Sequence, residues 1–247
     1  MACTQSQSWA PSRRQLISIA EQCHAKELDK GLIRRGLRYV RYVDDCVIAV
    51  GSKSECPRVM HTITNWIAHN LGLKVNVTKT HVCRPTNLKY LGFGFYKDSR
   101  SKRWAACPHK TSFEKFRRKL KALTDRSRSI SMDERISLLN SVTRGWINYF
   151  SIGRMKTSLE KIDAHLRTRM RAIIWKQWKA PSERACGLRK LGVSRKLAKV
   201  TSYCGDRCQW VATKTCVTKA ISKEELCRRI LISCLDDYSV RHALKTN

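Results

Sequence analysis

Asp44 and Asp45 are adjacent in a chain otherwise dominated by basic residues, and two carboxylates side by side repel one another. They follow Tyr42 and Val43 and lie between two short runs of strand-forming residues, 37–43 and 46–50. Aspartate is common in ordinary polar turns. The chemistry an adjacent pair adds is that of a divalent cation: hard carboxylate oxygens suit Mg²⁺, with phosphate oxygens and water completing the shell. Two such ions about 4 Å apart can activate a 3′-hydroxyl and stabilise a leaving oxygen. The pattern therefore predicts a hairpin with an acidic tip, which is either an ordinary polar turn, the commoner case for an isolated Asp-Asp pair, or a site for metal-assisted phosphoryl transfer.

The rest of the chain points to a polyanionic partner. Its 247 residues hold 50 Lys+Arg against 19 Asp+Glu, a formal charge of +31. Residues 1–110 carry a net +12 and residues 111–247 a net +19, interleaved with apolar positions as in folded elements with basic faces. Solvated surfaces usually mix both signs, so nucleic acid is the expected partner. No apolar run approaches the length of a membrane span, and the N-terminus lacks the order of a signal peptide, so a membrane partner is not expected. The 12 cysteines lack zinc-ribbon spacing; Cys204-x3-Cys208 with Cys216 comes nearest and has no histidine close by. They read as reduced thiols of a cytosolic protein.

These features need elements to position them. Residues 15–23 suggest a short helix. Ser52-x-x-Glu55 has the form of a capping box and opens a stripe of Val59, Ile63, Trp66 and Ile67 that Gly72 closes. Residues 73–77 return to strand alternation, and residues 89–96 form an aromatic strand whose glycines permit close backbone approach. After Pro108 the pattern turns helical. Thr111-x-x-Glu114, Ser131-x-x-Glu134 and Thr157-x-x-Glu160 each precede an amphipathic stripe, and Ser222-x-x-Glu225 caps a last helix. The predicted fold is α+β: an antiparallel sheet carrying the acidic hairpin, then a helical bundle. The bundle's basic faces present Lys115, Arg117, Arg118, Lys119 and Lys121, then Arg167, Arg169 and Arg171, followed by Lys176 and Lys179. Trp146, Trp175, Trp178 and Trp210 could stack on bases, but core roles are the favoured reading for them, with Trp178 at the end of its helix the best exception.

At these residues the sequence resembles a known family. Tyr42-Val43-Asp44-Asp45 between two strands is similar to the catalytic tetrad of reverse transcriptases. Its context, RGLRYVRYVDDCVIAVGSK (residues 35–53), resembles the version in group II intron-encoded proteins. LGLKVNVTKTHVCRP (residues 71–85) resembles the next palm motif, which implies that Lys79 lies near the incoming nucleotide's phosphates. KYLGFGF (residues 89–95) resembles the primer grip, implying primer or nucleotide contacts for Tyr42, Leu91 and Gly92. RGWINYF (residues 144–150) and LRTRMRAIIWKQWK (residues 166–179) resemble the thumb, or maturase-specific domain; LRKLGV and LISCLDDY resemble its C-terminal portion.

The resemblance implies an organisation: residues 1–27 unassigned, 28–106 a partial reverse-transcriptase palm, 107–180 a thumb/maturase helical domain, and 181–247 its basic extension. It implies catalytic and Mg²⁺-binding roles for Asp44 and Asp45. The family's first catalytic aspartate and its Pro-Gln-Gly-Gly-type segment have no counterpart upstream, so the metal site is expected to be incomplete and the chain to be the rear part of a larger enzyme. Mg²⁺ is then the cofactor only if another polypeptide completes the site. The expected function is binding group II intron RNA and assisting splicing, with RNA-directed DNA polymerase ancestry but no polymerisation by this chain alone. A DNA target or primer and a complementing N-terminal fragment are further expected partners. The alternatives are a basic RNA- or DNA-binding protein without intron specificity, and one half of a split active enzyme. No DNA-cleaving His-Asn-His pattern occurs in residues 182–247. The expected location is cytoplasmic, with RNA or nucleoid, or organellar in a eukaryote.

Overall fold

A computed structural model describes residues 15–20, 25–43, 45–76, 78–99 and 101–246. They are mostly helical, with small antiparallel sheets, and the chain forms two compact units that part between His109 and Lys110.

The first unit contains β1 (Gln15–Ala20), α1 (Ala25–Arg34), β2 (Arg38–Tyr42), β3 (Asp45–Val50), α2 (Cys56–Leu71), β4 (His81–Cys83), β5 (Phe93–Lys97) and β6 (Trp104–Pro108). Four strands form an antiparallel sheet in the order β2-β3-β1-β4, and β5 and β6 pair separately. Tyr42 pairs with Asp45, so only two residues connect β2 to β3. Such short connections favour positive φ, and Val43 takes φ +52° although it is β-branched, a strained conformation for that side chain.

Strand β3 alternates as a sheet buried on both faces must. Cys46, Ile48 and Val50 pack against Leu28 and Leu32 of α1 and Ile63 and Ile67 of α2. Val47 points the other way, onto Leu88 with Tyr90 and Phe95 beside it. Each fully buried aliphatic side chain contributes roughly 1.5–3 kcal/mol, so this core fixes the strand whose first residue is Asp45. Helix α2 carries Pro57 in its first turn and ends at Gly72 with φ +64°.

Four local expectations are corrected here. The segment expected as a short helix from residue 15 forms β1, placed inside the sheet by ladders to both β3 and β4. Two flanking strands outweigh a weak helical period. Ser52 accepts a hydrogen bond from the Glu55 N–H at 3.3 Å, but α2 starts only at Cys56, so this is a turn and not a helix cap. Residues 73–76 form no strand; the Asn76 Oδ1 accepts from the Thr78 N–H and hydroxyl and folds the chain into a turn. The strand expected from Lys89 begins at Phe93, because Leu91 and Gly92 turn with φ +49° and +78°.

The second unit contains α3 (Lys110–Leu123), α4 (Met132–Phe150), α5 (Lys156–Gln177), α6 (Pro181–Lys190), α7 (Arg195–Ser202), α8 (Cys208–Val211), α9 (Thr215–Ala220), α10 (Lys223–Arg228) and α11 (Cys234–Thr246). The stripes on the first three helices form its core: Phe116 and Leu120, Leu139 and Ile147, Leu166 and Met170 are buried. Trp146 stacks on Phe116 with centroids 4.4 Å apart at 7°. Ser131 and Ser222 cap α4 and α10, accepting from the N–H groups of Glu134 and Glu225. Thr111 and Thr157 lie inside α3 and α5 and cap neither. The chain's last segment is fastened by polar side chains of the longer helices. Asp163 accepts from the Cys234 and Leu235 N–H groups and the Ser233 hydroxyl at the start of α11, and Asn140 bridges the Ile230 carbonyl and Ile232 N–H. Among the described residues no helix is long and apolar enough to cross a membrane.

Candidate metal tip and nucleic-acid interface

Of the two tip carboxylates, Asp44 lies outside the described residues, and Asp45 is the exposed first residue of β3. The Asp45 carboxylate accepts no hydrogen bond from a described residue, which leaves its hard oxygens available to a cation. No three His, Cys, Asp or Glu side chains converge among the described residues, so Asp45 by itself does not constitute a metal site.

The turn that presents it is held from outside. Arg41 of β2 grips Asp29 of α1 with two hydrogen bonds of 2.8 Å, Nε to one oxygen and Nη2 to the other. Its remaining nitrogen, Nη1, donates to the Val43 carbonyl at 2.9 Å. One planar guanidinium thus ties the strained turn to a helix, which a lysine could not reproduce. The hydrogen bonds from Arg41 hold the Asp29 carboxyl below its usual range against the opposing effect of burial. On the other side, the Tyr90 hydroxyl donates to the Asp45 carbonyl at 3.4 Å, and burial pushes that phenol's pKa up. Arg41, Asp29 and Tyr90 were not singled out from sequence. The one local signal is at Arg41: exposure alternates along β2 (Arg38, Val40 and Tyr42 exposed, Tyr39 and Arg41 half-buried), which sets this arginine on the inward face beside Tyr39.

Tyr42, the last residue of β2, is exposed and opposite Asp45. Leu91 and Gly92 directly follow Tyr90, so their turn adjoins the hairpin through that residue's contact with Asp45. Lys79 is exposed on the turn before β4, where its N–H bonds to the Asn76 carbonyl. His81 pairs with Ser18, and Ser18 with Val47. This register puts Lys79 at the same end of the sheet as Asp45, two strand spacings or roughly 10 Å across.

In the second unit the basic residues divide. Lys115, Arg117, Arg118, Lys119 and Lys121 are all exposed on α3, and none forms an ion pair among the described residues. The shared solvent face expected of Arg167, Arg169 and Arg171 on α5 is corrected. Arg167 and Arg169 are half-buried; Arg169 donates to the Thr124 hydroxyl and to the Lys121 and Thr124 carbonyls. Arg171 is 7% exposed and donates to the Ile221 carbonyl at 2.8 Å. A helix of this length turns its side chains through every direction, and carbonyls left over at neighbouring helix ends capture the long arginines that face inward. Burial, then the charges of Arg169, Lys121 and Arg117, pull the His165 imidazole below its ordinary value, an independent sign that α3 and α5 crowd positive charge together.

Lys176 and Lys179 are exposed and line a cleft of about 590 Å³ with Arg126, Ser127 and the Arg184–Asp206 ion pair. The aromatic expectations are partly reversed. Trp175 is fully buried, its Nε1 donating to the Gly205 carbonyl, and Trp146 belongs to the core stack. Trp178 packs so closely on Gly187 that a methyl group there would come within 2.5 Å of its ring. Trp210 is the open one, half exposed, with the Lys214 ammonium 3.8 Å above its centroid.

Residues 16–95 match the reverse transcriptase (RNA-dependent DNA polymerase) family, and residues 113–192 match the group II intron maturase-specific domain. The first match begins inside β1 and runs through the hairpin to β5; the second spans most of α3 to the end of α6. No curated protein matches the chain.

Proposed function

Because this chain belongs to the group II intron reverse transcriptase/maturase family, we propose that its helical unit binds intron RNA and assists the intron's folding for splicing. The observation that carries this reading is the α3 face: five exposed cations along one helix, with no carboxylate among the described residues paired to any of them. Each phosphate neutralised there releases counterions, which gives affinity that falls with salt. Lys176, Lys179 and Arg126 extend the surface along the cleft at the end of α5. Arg169 and Arg171 support it from inside, by holding the helices in place.

The hairpin belongs to the polymerase ancestry of the family. Asp44 and Asp45 are the residues that would hold Mg²⁺, which when bound supplies activation of a 3′-hydroxyl. The chain's own contribution is placement: Arg41 fixes the turn, and Tyr90 ties the Asp45 backbone to the Leu91-Gly92 turn. A third carboxylate, a DNA primer or target and a complementing polypeptide are part of this proposal, as is a location that follows the RNA.

Affinity for a group II intron RNA against a length-matched structured control, each at two salt concentrations, tests the reading. Preference for the intron RNA of at least tenfold at the higher salt is expected. Equal affinities falling equally with salt would replace it with a basic RNA- or DNA-binding protein lacking intron specificity. Template-dependent primer extension that disappears in Asp44→Ala would show polymerisation by the chain alone.

A further inference from the structure

A second concave site lies in the first unit, between the base of the hairpin and α2. It is an open cleft of about 690 Å³, within the range of small-molecule sites. Leu37, Val50, Val59 and Ile63 make its floor apolar. Arg35, Arg38 and Arg58 stand around it, with Glu55 and Thr62 as further polar groups. Arg38 pairs with Ala49, four residues along β3 from Asp45, so the cleft opens roughly 13 Å from the acidic tip.

The arginines are arranged for an anion. Arg35 is already placed: its Nη1 donates to the Gly31 carbonyl at 2.8 Å, and its guanidinium lies 4.8 Å from the Trp66 ring centroid. Arg38 and Arg58 are exposed, and neither is ion-paired among the described residues. Three guanidiniums around one opening repel each other until an anion enters, and their planar forks match phosphate oxygens. A bare anion would leave the apolar floor in water. A ligand with a phosphate at one end and a flat, weakly polar body uses both parts, and Glu55 offers an acceptor for its amine edge.

We propose that this cleft binds a nucleotide, with its phosphate between Arg38 and Arg58 and its base on the floor formed by Leu37 and Val59. The site uses none of the residues assigned to the metal tip or to α3, so it stands or falls independently of the function proposed above. The nucleotide is either free or part of a strand, and the two share this chemistry.

The test uses the full chain labelled with 5-fluorotryptophan, in which the Trp66 resonance is assigned by its loss in Trp66→Phe and reports on Arg35. Titration proceeds at about 0.3 M salt, where diffuse attraction to the charged surface is largely screened. A nucleoside monophosphate, a trinucleotide and inorganic phosphate serve as probes. The expected result is a saturable shift of the Trp66 signal with the nucleotide probes, at least tenfold weaker with phosphate. Saturation by the monophosphate assigns a free nucleotide; saturation by the trinucleotide alone assigns a strand. Arg38→Ala with Arg58→Ala should weaken binding roughly tenfold. Thr62→Trp, which fills the cleft without changing charge, should do the same while the other tryptophan signals keep their positions. The proposal is overturned if Trp66 does not respond, if phosphate matches the nucleotides, or if Thr62→Trp, folded by the same spectrum, binds as the parent does.

Discussion

Helices α3 and α5 both carry dense positive charge, and they use it in opposite ways. On α3 the cations face water, with Lys115, Arg118 and Lys119 paired to no acid among the described residues. On α5 and its neighbour α4 three arginines turn inward and donate to backbone carbonyls: Arg169 to the end of α3, Arg171 to Ile221, and Arg135 to Leu123, Asp125 and Arg128. Net charge alone cannot distinguish these roles. The first supplies a field for a polyanion; the second satisfies carbonyls left over at helix ends, at the cost of desolvating a cation. The +19 of this half of the chain therefore overstates the charge available to RNA.

The largest expected effect is at Arg135. It is almost fully buried, and its Nε has no partner among the described residues, so the three carbonyl bonds of its two terminal nitrogens must offset that desolvation. Arg135→Ala should lower stability by about 3 kcal/mol, because the carbonyls of Leu123, Asp125 and Arg128 around the loop between α3 and α4 lose their shared donor. Chemical denaturation measures this, and a loss below about 0.5 kcal/mol would remove Arg135 from the structural class.

A paired exchange sharpens the contrast. Arg118→Glu should weaken RNA binding roughly tenfold at low salt and leave stability within about 0.5 kcal/mol. Arg171→Ala should do the reverse, costing about 2 kcal/mol through the Ile221 carbonyl it abandons, with the folded protein's RNA affinity little changed. If Arg171→Ala weakens RNA binding as much as Arg118→Glu does, the division between outer and inner arginines is wrong.

What sequence could and could not reveal follows from the same distinction. The apolar stripes of α3, α4 and α5 were legible because periodicity is local, and so was the hairpin, whose strands alternate around a two-residue connection. The strand β1 was not, since its partners Val47 and Val82 lie far along the chain and its own six residues carry little periodic signal. At the tip, the place of Asp45 beside a two-residue turn was legible, but the fork of Arg41 onto Asp29 and Val43 is a tertiary fact that no spacing announces. Capping boxes misled three times for a physical reason, since the spacing fixes no helix start: the helices of Thr111 and Thr157 begin before them, and the one after Ser52 begins only at Cys56. Trp178 and Trp210 exchanged roles because Gly187 lets one indole pack inward, and nothing local marks that approach.

The smallest effect tests where the two kinds of charge meet. His165 lies on the exposed surface of α5, and partial burial, then the charges of Arg169, Lys121 and Arg117, lower its pKa in the folded chain. Between that lowered value and about 6.5 the unfolded chain holds a proton that the folded chain refuses. Stability should therefore fall slightly as pH drops through 6.5 toward the folded value, then stop falling below it, and His165→Gln should flatten that slope. RNA reverses the sign. Phosphates between α3 and α5 offset the arginines and favour the imidazolium, so binding takes up a proton and affinity should rise a few-fold from pH 7.5 to 5.5. His165→Gln abolishes that rise if the RNA passes this point. A pH slope of affinity that survives in His165→Gln would place the bound strand elsewhere on α3, away from the inward-facing arginines.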